Sequence, residues 1–361
     1  MEADAVDETP RGRVPLSVLD LAPVGRGSSP ADALAHSTEL VREVERLGYR
    51  RHWVAEHHNM PGIASSSPPV LLAHLAAATS TIRLGSGGLM LPNHAPLAVA
   101  EQFGMLEALH PGRIDLGIGR APGTDPLTAS ALRRGDGALG ADDFPDQLGQ
   151  LLGFFDGAFP EEHPYRAITA VPGLGYRPDI WLLGSSTYSA QAAAYLGMPF
   201  SFAYHFAPGL LHEALDAYRS RFRPSEQLDA PFVMLGVSVL CAPTDDEARF
   251  LAGSGALAFL RLRQGRPDVY PTPEEAAEYR FTPHEREIVK SWTSSHVVGS
   301  PATVRDRLDQ LVADTGVDEL MVTTMAHHHD HRVASYRFLA DAWGLTPGSD
   351  ALVSENPRRE G

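Results

Sequence analysis

The chain has 361 residues, of which 43% are hydrophobic and 21% charged, as in ordinary globular proteins, and it lacks the apolar run of about 20 residues that a membrane span requires. Its formal charge of -15 opposes a general affinity for nucleic acid or anionic lipid, so an anionic ligand needs a local cluster of arginine or backbone N–H groups. The single cysteine, Cys241 in "VSVLCAP", excludes an internal disulfide and a thiolate metal cage, and reads as a buried strand residue.

The acidic opening "MEADAVDETPRGR" (1–13) has no apolar signal core and reads as a disordered tail, which makes the cytoplasm the default location. Short β-rich runs bounded by Gly or Pro then alternate with amphipathic helical stretches, the pattern of parallel strands joined by crossover helices. The strand candidates are "VPLSVLDL" (14–21), "RHWVAE" (51–56), "IRLGSGG" (82–88), "IDLGIG" (114–119), "DIWLLG" (179–184), "PFSFAY" (199–204), "FVMLGVSVLCA" (232–242) and "DELMVTT" (318–324). The first crossover, "PADALAHSTELVREVERLG", has Ser29 as N-cap, Pro30 at its first position and Gly48 at its exit. Eight strands in this alternation predict an α/β chain folded as a (β/α)8 TIM barrel, one domain over 14–345 followed by a C-terminal tail, 346–361. A doubly wound open sheet competes, but no Gly-x-Gly-x-x-Gly turn follows the first strand.

Two intervals, 120–178 and 243–317, exceed a plain crossover and place insertions at the barrel mouth. The proline- and charge-rich stretch "RLRQGRPDVYPTPEEAAEYRFTPHEREIVKSW" in the second predicts a mobile, partly helical lid over 259–297.

In a barrel the residues just after each strand form the active site. Glu56, His57 and His58 follow the second strand, Gly87 and Gly88 end the third, Gly119 and Arg120 the fourth, Gly184, Ser185 and Ser186 the fifth, and His205 and Phe206 follow the sixth. The strand–Gly-Ser-Ser–helix segment "LLGSSTYSAQAAAYLG" suits a phosphate, with free N–H groups and hydroxyls; the plainer alternative is that Ser185 or Ser186 only caps the helix. Arg120 favours the phosphate, because a guanidinium beside the same strand ends adds paired charge-assisted bonds. Arg133 is a second contributor or, more simply, a solvated helix residue. Adjacent glycines ending a buried strand indicate either close approach of a flat ligand or a bulge. Neighbours in extended chain point to opposite sides, so Glu56, His57 and His58 make a poor metal site. "AHHHDHR" (326–332), with His327, His328, His329, Asp330 and His331, is a stronger metal suspicion, but no His-x-His follows the first strand and no metal is assigned.

Together "WVAEHHNMPG", "LGSGGLMLPNHAP", "HPGRIDLGIGRAPGTDP", "LLGSS" and "DELMVTT" resemble the luciferase-like flavin-dependent oxidoreductases, the family of bacterial luciferase, in order from about residue 14 to 343. Within the family the chain looks most like single-chain monooxygenases, some serving antibiotic biosynthesis. The resemblance implies a TIM barrel that uses reduced FMN (FMNH2) from a separate flavin reductase, or F420 in some members. It implies insertion of one oxygen atom from O2 into an organic, aromatic or polyketide-like, substrate through a flavin C4a-peroxide. It assigns proton handling to His57, whose unperturbed pKa near ~6.5 would serve a relay at neutral pH.

It places the FMN phosphate on Arg120, Ser185, Ser186, Tyr188 and Ser189; the turn is one residue longer than the family's and leaves the division among Ser186, Tyr188 and Ser189 open. Gly87 and Gly88 match a non-prolyl cis peptide beneath the isoalloxazine ring. His58, Tyr204, His205 and Phe206 are the expected substrate lining, and a homodimer is expected. Bacterial luciferase has a cysteine where this chain has Gly119, which implies more room beside the flavin and sets the chain apart from aldehyde luciferases. An F420-dependent oxidoreductase, a metal-dependent TIM-barrel hydrolase and a non-catalytic flavin-binding protein are the competing functions.

Overall fold

The computed structural model describes residues 13–132 and 143–346. Its strands are β1 (Leu16–Asp20), β2 (Arg51–Val54), β3 (Arg83–Met90), β4 (Ile114–Gly119), β5 (Asp179–Gly184), β6 (Phe200–Phe202), β7 (Val233–Cys241), β8 (Val297–Gly299) and β9 (Glu319–Thr323). All are paired in parallel. Eight close on themselves in the order β1-β2-β3-β4-β5-β6-β7-β9 with β9 back on β1, which is the expected (β/α)8 barrel. The short β8, which no sequence pattern announced, pairs with the outer end of β7 at Val239–Cys241.

Each strand is buried on both faces, which explains the near-continuous apolar runs. Leu16 and Val18 of β1 face the helical layer, while Leu19 joins Trp53, Trp181, Met234 and Met321 inside the barrel. The N-terminal end of the barrel is closed by charge: Arg51 reaches Glu319 at 2.8 Å and Asp115 at 3.0 Å, and the Trp53 indole donates to Asp115 at 2.9 Å. Cys241 is buried, its thiol pushed up to about 12 by burial, as a structural strand residue should be.

Helix Pro30–Leu47 starts as its sequence dictates. The Ser29 hydroxyl accepts from the Asp32 N–H at 3.2 Å, the Asp32 carboxylate accepts from the Ser29 N–H at 2.8 Å, and Gly48 closes the helix at φ 87°. Ser29→Ala should cost about 1 kcal/mol of stability, read in a urea titration; an unchanged midpoint would mean that the cap carries no weight.

The second insertion is built of helices Asp245–Arg263, Pro273–Glu278 and Pro283–Thr293, so its first helix begins well before residue 259. It is tied to the loop after β1. Tyr270 N–H donates to Val24 O at 2.8 Å, Arg26 N–H donates to Tyr270 O at 2.9 Å, and the Arg26 guanidinium pairs with Asp268 and Glu275 at 2.8 and 2.9 Å. Arg13, assigned from sequence to the N-terminal tail, pairs with Asp309 at 3.0 Å, whereas 1–12, Arg133 and 347–361 lie outside the described residues. Among the described residues no helix is long and apolar enough to cross a membrane.

Candidate active site

The C-terminal ends of the barrel strands open into a cavity of about 580 Å³. Leu19, Trp53 and Met321 from the barrel interior border it below; Phe259, Leu262 and Trp292 of the helical insertion border it above. Phe259 and Trp292 stack with ring centroids 4.3 Å apart, and His296 packs edge-on against Trp292 at 4.2 Å.

The three residues after β2 separate, as expected of extended chain. Glu56 turns into the protein, where its carboxylate accepts from Met90 N–H at 2.9 Å and Asn93 Nδ2 at 3.2 Å, and from the Nε2 atoms of His58 and His94 at 2.9 and 3.0 Å. Burial pushes this carboxyl up, but the bonds from His94, His58 and Met90 outweigh it and hold Glu56 below the usual carboxylate range. Asn93 also donates to Pro122 O at 2.9 Å, so one buried carboxylate ties the ends of β2, β3 and β4 together.

His58 therefore serves Glu56 and is not part of the cavity wall. His57 does line the cavity; its Nδ1 is buried without a hydrogen-bond partner among the described residues. Burial pushes the His57 imidazole down to about 4, the Glu56 charge opposing, so it is neutral at pH 7, not titrating near its unperturbed value.

The Gly87–Gly88 peptide is cis, and both glycines border the cavity. Side chains would be crowded here: a Cβ on Gly87 would lie 2.7 Å from Leu19 Cδ1, and one on Gly88 3.0 Å from Gly117 O. At Gly119 a Cβ would lie 2.6 Å from Met90 Sδ. Met90 thus fills the space beside Gly119, correcting the expectation of extra room there.

Arg120, Ser185, Ser186 and Ser189 border the same cavity. Ser186 occupies the N-cap position of helix Thr187–Leu196, yet its hydroxyl makes no capping bond, against the plainer reading of that serine. Ser189 packs against the bare α-carbon of Gly184, where a Cβ would lie 2.5 Å from its own. The Arg120 guanidinium lies 4.2 Å over the Tyr188 ring and has no carboxylate partner among the described residues. Tyr188 is thus a platform for Arg120 and does not itself border the cavity.

His205 and Phe206 border the cavity, while Tyr204 packs half-buried against the main core. His296, Trp292, Phe259 and Tyr270 all come from the insertion expected at the barrel mouth, but sequence patterns did not single them out, since nothing local shows which of its side chains face the cavity.

The His327–His331 run does not converge. The His327 and His328 rings meet edge to face, His327 Nε2 donates to Arg26 O at 3.1 Å, and His329 Nε2 lies 3.3 Å from Glu39. Among the described residues no group of three or more His, Cys, Asp or Glu could hold a metal ion.

A closed parallel barrel whose strand ends open into one cavity belongs to the (β/α)8 class, with its candidate site at the barrel mouth. The family model of luciferase-like monooxygenases matches residues 14–319, and the chain belongs to that family; it is an oxidoreductase. A luciferase-like monooxygenase of Escherichia coli (strain K12) is 46% identical over 331 residues, 91% of this chain and 96% of that one. The N-acetyl-S-alkylcysteine monooxygenase of Bacillus subtilis (strain 168) is 37% identical over 330 residues, 91% of this chain and 97% of that one. The crystal structure of apo-MsnO8 matches with a TM-score of 0.82 at 41% identity, over 93% of this chain and 100% of that one. The oxygenating constituent of 3,6-diketocamphane monooxygenase from Pseudomonas putida, in complex with FMN, shares the fold with a TM-score of 0.69 at 20% identity, over 93% and 98% of the two chains.

Proposed function

We propose that the chain is a monooxygenase that uses reduced FMN, supplied by a separate flavin reductase, to place one oxygen atom of O2 in an apolar organic substrate. One observation carries the reading: the Arg120–serine turn, the Gly87–Gly88 segment and neutral His57 border a single cavity. These residues fit FMN by their chemistry. Arg120 has no other anion among the described residues, the Ser186 hydroxyl is not used by its helix, and the glycine segment offers bare backbone to a flat ring. When bound, reduced flavin supplies the two electrons that activate dioxygen, one oxygen atom passing to substrate and the other leaving as water.

The protein's own share is binding, exclusion of water and control of a proton. Arg120, Ser185, Ser186 and Ser189 would hold the phosphate, with Tyr188 fixing the Arg120 plane. The insertion over the barrel mouth, which we read as a lid, keeps water out with Phe259, Leu262 and Trp292. The aromatic side chains on this wall would also give an aromatic or polyketide-like substrate a surface to stack on. His57, neutral and on the cavity wall, would steady a transferring proton there by hydrogen bonding through its imidazole nitrogens. The same reading includes a homodimer, supported by exposed Val70, Met105 and Leu109 on the adjoining helices Pro68–Ala77 and Pro96–Leu109.

Fluorescence titration with FMN and with F420, followed by reduction and admission of oxygen, tests the reading. One FMN per chain with oxygen consumption is the expected result. Tight F420 binding without oxygen chemistry would overturn it in favour of an F420-dependent oxidoreductase. His57→Asn should retain FMN within a few-fold yet divert most of the oxygen consumed to hydrogen peroxide. Unchanged coupling to product would remove His57 from proton control.

A further inference from the structure

The cavity wall carries few charges, and among the described residues only Arg120 is without an opposite charge. Of its ionisable side chains, Arg120 belongs with the serine turn, and the Asp268 carboxylate is held by Arg26 at 2.8 Å, with Arg261 at 3.9 Å. Tyr270 donates its hydroxyl to Met325 O at 3.0 Å. The other three are histidines, His57, His205 and His296, which burial pushes down to about 4 in each case. A charged molecule entering the chamber under Phe259 and Trp292 would lose its hydration and meet no free counter-charge.

The hydrogen bonds of His205 show what the chamber offers instead. Its Nδ1 lies 3.1 Å from Gly236 O, an atom that only accepts, so Nδ1 carries the proton. The neutral ring then has its lone pair on Nε2, for which no hydrogen bond to protein is found among the described residues. His296 holds the backbone of the same residue, donating from Nε2 to His205 O at 3.3 Å. Gly236 leaves the ring its place: a Cβ there would lie 2.9 Å from His205 Nδ1. The imidazole is therefore fixed in position and tautomer, on a wall that is mainly apolar but also includes Ser201, Ser238 and Thr323.

We propose that His205 is a specificity-determining residue whose Nε2 receives a hydrogen bond from the substrate, and that the substrate is an uncharged, mainly apolar molecule bearing one hydroxyl or N–H donor. This rests on the flavin reading for the placement of Arg120. His205 acts in binding and transfers no proton.

Three matched fluorescent probes test it on the FMN-loaded protein: 2-naphthol, 2-methoxynaphthalene, which lacks the donor, and 2-naphthoate, which carries a negative charge. The FMN titration comes first. Absence of FMN binding overturns the flavin reading and this proposal with it. With FMN bound, 2-naphthol should bind about 10-fold more tightly than 2-methoxynaphthalene, the worth of one buried hydrogen bond, and naphthoate should bind weakest of the three. His205→Asn keeps a donor for Gly236 O and loses the Nε2 acceptor, so the naphthol preference should fall to within about 2-fold. His205→Gln, which places an amide oxygen near the Nε2 position, should restore part of it. Equal binding of 2-naphthol and its methyl ether by the unmutated protein, naphthoate binding as tight as naphthol, or a preference that survives His205→Asn would each overturn the proposal and leave the flavin reading standing.

Discussion

Arg120→Ala is expected to weaken FMN binding about 100-fold while changing riboflavin binding by no more than about 2-fold. The guanidinium lies over the Tyr188 ring, pairs with no carboxylate among the described residues and borders the cavity with Ser185, Ser186 and Ser189. Two charge-assisted bonds to a phosphate are worth about 2–4 kcal/mol together, and each 1.4 kcal/mol is tenfold in affinity. Riboflavin lacks the phosphate and should not register the change. Tyr188→Phe keeps the stacking ring and should leave FMN binding within a few-fold. Equal losses of FMN and riboflavin in Arg120→Ala would mean that the arginine shapes the pocket without binding phosphate.

Stability should fall steeply on mild acidification. His57, His205 and His296 titrate at about 4 in the folded protein, chiefly through burial, and His329 joins them at about 4. Unfolded histidine titrates near 6.5. Between pH 6.5 and 4 the unfolded chain therefore binds protons that the folded chain does not, and by linkage folding stability decreases as pH falls through this window. Each such proton contributes a slope of up to about 1.4 kcal/mol per pH unit, reduced where cavity water solvates the ring. The carboxylates do not mask the effect above pH 5. Glu56 is held below its ordinary range and Glu43 at about 2, mainly by its bond from Arg46, so in both states they remain largely ionised there. Urea titrations from pH 7 to 5 should show a slope of two to four protons by this linkage, and His205→Asn should lower it by about one. A flat profile over this range would show that the cavity histidines protonate freely in the folded state.

The barrel was legible because strands buried on both faces cannot carry many polar residues, and the Gly, Pro and Ser signals punctuate each crossover. Ser29, Pro30 and Gly48 show this at one helix, where cap, first residue and exit lie where short-range chemistry puts them. The short strand Val297–Gly299 escaped notice because three residues carry no period. The candidate site was legible where strand ends meet: His57, Gly87, Gly88, Arg120, Ser185, Ser186, Ser189, His205 and Phe206 all reach one cavity. His58, Tyr188 and Tyr204 do not, because the direction of a side chain in irregular backbone depends on partners distant in sequence, here Glu56, Arg120 and the main core.

From local pattern alone the chain determined its alternation of strands and helices, its barrel and the rank of residues at the barrel mouth. Only the tertiary structure decided that Glu56 turns inward onto His58 and His94, that Met90 packs beside Gly119, and which side chains of the insertion, His296, Phe259 and Trp292 among them, border the cavity. Periodicity and capping act over a few residues and can be read in order along the chain, whereas burial, protonation and the pairing of a charge depend on atoms that folding brings together from far apart.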